Sequence, residues 1–136
     1  MHAIIIGLLL LSSACFAQYG RYFNTMRMKG DTLQLEASYS YNDPDERDEE
    51  HGSTTIFKFF NSKNLKENIV YTFPSKTILG YEEHWSGWRP PSPKSLQGTI
   101  EIISLSKDEI KAKIIIDEAS GKKREGQFVF KNIESQ

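Results

Sequence analysis

The segment from Tyr81 to Pro93 holds the side chains best suited to recognition or chemistry. Both tryptophans of the chain, Trp85 and Trp88, lie there beside Tyr81, His84, Arg89 and the prolines Pro90, Pro91 and Pro93. Flat indole faces stack on sugar rings or peptide prolines, and Arg89 and Glu82 offer polar groups that can hydrogen-bond hydroxyls. Proline cannot donate to a β ladder, so a loop is expected here and not a central strand. Pro90-Pro91 favours a stiff, extended backbone. A ligand platform of Tyr81, His84, Trp85, Trp88 and Arg89 is therefore one expectation, with a carbohydrate, a peptide or a protein as its partner. Another is that the rings fold back over an open end of the domain, since tryptophan is usually well buried. A third is local packing of Arg89 over an indole face.

The string Trp85-Ser86-Gly87-Trp88 resembles the Trp-Ser-x-Trp motif of thrombospondin repeats and cytokine-receptor fibronectin domains. The likeness covers four residues, the receptor motif continues with Ser where Arg89 stands, and the disulfides of those domains have no counterpart here.

Two other constellations bear on catalysis and metal binding. His51 and His84 each follow a glutamate, Glu50 and Glu83. A His–carboxylate pair can serve acid–base chemistry, but no Gly-x-Ser-x-Gly elbow supplies a nucleophile and no histidine spacing suits zinc. A small hydrolase using Glu82, Glu83 or His84 is the remaining catalytic alternative. From Asp43 to Glu50 there are six acids and one base. Asp43, Asp45 and Asp48 are calcium candidates on carboxylate density alone, because the spacing lacks the glycine and terminal glutamate of an EF-hand loop. Charge runs of this kind are ordinarily solvated hairpin tips. No cofactor is expected.

These residues must be carried by strands. Leu33, Leu35, Ala37, Tyr39 and Tyr41 alternate with polar residues from Thr32 to Tyr41, the period of a half-buried strand. Ile110, Ala112, Ile114 and Ile116 alternate with Lys111 and Lys113 between Glu109 and Asp117. Phe57 and Phe59 are expected to face inward from Thr54–Phe60, as are Phe128 and Phe130 from Gly126–Lys131. Shorter runs are Thr25–Lys29, Ile69–Phe73, Thr77–Tyr81 and Thr99–Leu105. Turns are expected at Gly30-Asp31, Lys107-Asp108 and Ser120-Gly121, and Asn61–Glu67 suits a loop or one helical turn. Lys122, Lys123 and Arg124 are expected on a solvated basic hairpin. The architecture predicted is all-β, an antiparallel β-sandwich or small β-barrel of seven to eight strands. A lipocalin-like barrel would carry a Gly-x-Trp signature near its first strand, and none is present.

The first seventeen residues set the compartment. Ala3–Leu11 is apolar and Ser12–Ala17 is small and weakly polar, as in a secretory signal peptide. About nine apolar residues are too few to span a bilayer, which needs about twenty. Cleavage after Ala17 would leave a single domain over 18–136 and remove Cys15, the only cysteine. The alternative is a lipobox at Leu11–Cys15, with Cys15 lipidated. The mature domain would then be periplasmic or extracellular, soluble or lipid-anchored, and held together by its core without disulfides. Apolar residues at 38 % and aromatics at 12 % argue against disorder. A net charge of −1 gives no global attraction to nucleic acid. The function expected is that of an exported, non-catalytic binding protein of a Gram-negative bacterium. A periplasmic inhibitor or immunity-type protein that plugs a partner enzyme is the first alternative.

Overall fold

A computed structural model describes residues 20–42, 50–86 and 92–133. The proposed leader with Cys15, the acidic candidates Asp43, Asp45 and Asp48, and Trp88 and Arg89 all lie outside the described residues.

Nine strands follow in order: β1 (Gly20–Lys29), β2 (Thr32–Asn42), β3 (Glu50–Phe59), β4 (Ile69–Phe73), β5 (Ile78–Ser86), β6 (Ser92–Ser95), β7 (Gln97–Leu105), β8 (Glu109–Asp117) and β9 (Lys123–Asn132). Between β3 and β4 the chain makes a single 3-10 turn, Ser62–Asn64. The strands form one sheet in the order β4-β7-β8-β9-β1-β2-β3-β5-β6. All neighbours are antiparallel except β1 and β9, which meet in parallel at Thr25↔Lys131 and Met26↔Asn132.

The sheet is curled into a half-barrel, and the chain's connectivity requires that curl. β6 ends one side of the sheet, β7 is next to last on the other, and Leu96 alone joins them. One residue can link the two ends only if they come together. The Leu96 N–H donates to the Gly80 carbonyl at 2.9 Å. The Phe73 ring, from the β4 edge, packs edge-on against Phe57 of β3 with centroids 5.2 Å apart.

The expected all-β class therefore stands, with three corrections. Among the described residues there is one curled sheet and no second sheet stacked on it, the sheet is mixed rather than antiparallel throughout, and the strands number nine. The ninth is β6, Ser92–Ser95, an edge strand that pairs only with β5. It holds Pro93 and no apolar residue, so no hydrophobic period marks it, and an edge is where proline is tolerated.

Alternation decides what lies inside. On β8 the burial pattern matches the expected faces: Ile110, Ala112, Ile114 and Ile116 are buried, and Lys111 and Lys113 are on the other side. Leu33 and Leu35 of β2, Phe57 and Phe59 of β3, Ile100 and Ile102 of β7 and Phe128 and Phe130 of β9 complete the same concave face. Burying each such side chain is worth about 1.5–3 kcal/mol. Among the described residues, no helix is long and apolar enough to cross a membrane.

Candidate functional site

The interior changes character along its length. Two-residue steps along β5 run Ile78, Gly80, Glu82, His84, and along β9 they run Phe130, Phe128, Gly126, Arg124. On β3 they run Phe59, Phe57, Thr55. The same face that packs the core thus turns polar two residues later, at one end of the half-barrel.

Glu82 stands at that boundary and is only 6 % exposed. Its Oε2 accepts from Arg124 Nη1 at 3.0 Å and, more weakly, from the Thr55 hydroxyl at 3.4 Å. Thr55 is its ladder partner on β3. Its Oε1 lies 2.8 Å from His84 Nε2. A carboxylate only accepts, so in this contact the His84 proton sits on Nε2. Arg124 reaches Glu82 from β9 across the concave face, past β1, β2 and β3 in the sheet order. The pair therefore joins two strands that share no ladder.

Arg124 also meets Glu118, which follows β8. Its Nε lies 2.6 Å from Glu118 Oε1, and the guanidinium is one-third exposed. The distance is that of a close ion pair, but the oxygen is off the N–H direction, so the buried Nε has no aligned hydrogen bond.

Burial by itself raises the Glu82 pKa. The charge of Arg124, its hydrogen bond and the contact with His84 outweigh this and hold the carboxyl below its ordinary value. In the unfolded chain Glu82 binds its proton more readily, so the stability from the ionised carboxylate is complete above the ordinary carboxylate pKa. It is lost as pH falls through the lower folded value. Glu82→Gln is accordingly expected to flatten the acid limb of a stability-against-pH curve measured by urea unfolding. An unchanged limb would mean that the ion pair contributes nothing to folding. A carboxylate held ionised in this way is also poorly suited to act as a general acid near neutral pH.

Above the pair opens a cleft of about 1030 Å³. Its lining includes Glu82, Arg124, Glu118, Lys94 of β6 and Lys123 of β9, together with Leu96 and Ile116, which are almost fully buried. Among the described residues, no cluster of three or more His, Cys, Asp or Glu side chains could hold a metal ion.

The sequence-predicted platform is divided by this geometry. Tyr81–Ser86 belongs to β5, paired with both β3 and β6, so it is strand and not loop. Successive side chains on it point to opposite faces. His84 is on the concave side with Glu82, whereas Tyr81 and Trp85 are on the convex side. There Lys58 Nζ lies 5.6 Å from the Tyr81 ring centroid. Glu82 and Glu83 likewise face apart, so they do not form an acid–base pair. Of the expected basic hairpin, Lys123 is exposed and 3.7 Å from Asp117, but Arg124 turns inward.

Sequence reasoning missed Arg124, Thr55, Lys94 and Glu118. For Arg124 a signal existed: continuing the Phe130-Phe128-Gly126 alternation by one more step lands on it. Compared with protein-family models, curated proteins and solved structures, the chain matches none.

Proposed function

We propose that this chain is an exported, non-catalytic binding protein that holds a small ligand in the cleft at the polar end of the half-barrel. The observation that carries the reading is the Glu82–Arg124 pair, a largely buried charged pair that lines a cleft rich in polar side chains. Desolvating charges is costly unless they are paired and hydrogen-bonded. Their placement under an open cleft, and not on a solvated rim, is economical if they orient something. A concave cleft with convergent polar groups is a usual setting for a small-ligand site, and about 1030 Å³ is room enough for one. The segment joining β5 to β6 carries Trp88 and Arg89. Export rests on the apolar leader, which places the ligand in the periplasm or outside the cell.

The test is an NMR screen of small fragments against the purified mature chain. Amide shifts are expected to cluster at Leu96, Ile116 and Arg124. Lys94→Trp, which puts a large ring on the Glu82 side of the edge strand, is expected to abolish them without unfolding the protein. Shifts centred on Tyr81 and Trp85, indifferent to that substitution, would move the site to the convex face and defeat the proposal.

A further inference from the structure

Arg124 points to the ligand's chemical class, given the cleft reading above. A guanidinium is a rigid fork that can present two parallel N–H groups, one of them Nε–H, to one carboxylate. Here Nη1 is taken by Glu82 Oε2 at 3.0 Å. The Nε edge is occupied by Glu118, whose oxygen is 2.6 Å away yet misaligned, leaving a buried donor without a proper hydrogen bond. Buried donors are rarely left so, and each exception calls for a cause.

Glu118 is a replaceable occupant. It lies in the turn between β8 and β9, its side chain is 36 % exposed, and that turn is closed by the Glu118 N–H to the Lys122 carbonyl and the Gly121 N–H to the Glu118 carbonyl. Those are backbone bonds, so the side chain can swing away without opening the turn. The remaining acids at the cleft are Asp117, which lies near Lys123, and Glu125. Lys94, also in the cleft lining, is exposed.

We propose that the cleft takes a small carboxylate, whose carboxyl group docks on the Nε edge of Arg124 and displaces Glu118. Glu82 stays bound to Nη1 and keeps the fork oriented. Glu118 is a tethered competitor that lowers the apparent affinity.

The experiment is an NMR titration of the mature chain with butyrate and succinate at constant ionic strength, with inorganic phosphate and glucose in parallel. The Arg124 side-chain Nε–H and the cleft amides are followed. Carboxylates are expected to shift the Nε–H resonance. Glu118→Gln is expected to tighten their binding about tenfold. Arg124→Lys keeps a counter-charge for Glu82 but has no fork, and is expected to weaken binding at least tenfold. Should Arg124→Lys prove unfolded by thermal melting, the Glu118→Gln comparison decides alone. Equal affinity in wild type and Glu118→Gln, equal binding by folded Arg124→Lys, or stronger binding of phosphate would each overturn the carboxylate assignment. Cleft shifts with glucose alone would overturn it while leaving the cleft as the site. No cleft shifts with these probes or with the fragment screen would remove both readings.

Discussion

Gly98→Ala is expected to destabilise the protein by about 3 kcal/mol, at the upper end of the usual cost of overpacking. A Cβ at Gly98 would sit 1.9 Å from the Ile115 carbonyl oxygen and 2.9 Å from its carbonyl carbon, with the Phe73 ring at 3.0 Å. A ring tip can yield, but the Ile115 backbone belongs to a central strand bonded on both sides by β7 and β9. Gly98 is paired with Phe73 on β4 and with Ile116 on β8, directly after Leu96 has carried the chain from one end of the sheet to the other. The substitution therefore acts where the half-barrel is drawn together. Urea unfolding followed by circular dichroism measures the effect. A loss below about 1 kcal/mol would show that the strands can move apart at this point, contrary to the close approach described.

Arg124→Leu is expected to cost about 3 kcal/mol near neutral pH. Removing one partner of a buried ion pair leaves the other charge uncompensated, at a typical cost of about 3–5 kcal/mol. The lower end applies because the guanidinium is one-third exposed. The sign of the pH dependence also changes. Without Arg124, burial raises the Glu82 pKa in the folded state. Its protonated form then becomes the one that favours folding, so the deficit is largest at neutral pH and shrinks as the solution is acidified. The double variant Arg124→Leu with Glu82→Leu is expected to recover most of the loss, since an apolar pair can replace a buried ion pair at little cost. A double-mutant cycle in urea checks both statements. Additive single effects would mean that the two charges are not coupled across the concave face.

Much of the fold was legible because strand alternation is local. Ile110-Ala112-Ile114-Ile116 and Leu33-Leu35 announce their inward faces without reference to any other strand, and they are buried as expected. The edges of elements were less legible. β9 begins at Lys123, three residues before its apolar alternation starts, and β5 runs on to Ser86, five residues beyond Tyr81. At those ends the inward positions are Arg124, Glu82 and His84, so a hydrophobic pattern cannot mark them. The candidate site occupies these same positions. The charged triplet Lys122, Lys123, Arg124 looks uniform in sequence, yet alternation sends its members to different environments.

What the amino-acid sequence determined by itself is the class of element and the inward side of most strands, because both depend on neighbours two residues away. The tertiary structure alone decided which strands sit beside one another: the parallel meeting of β1 and β9, the closure at Leu96, and the convergence of Glu82 and Arg124 from 42 residues apart. Those pairings follow from how the whole sheet curls to cover its apolar face. That is a property of the assembled surface, and no short window of sequence contains it.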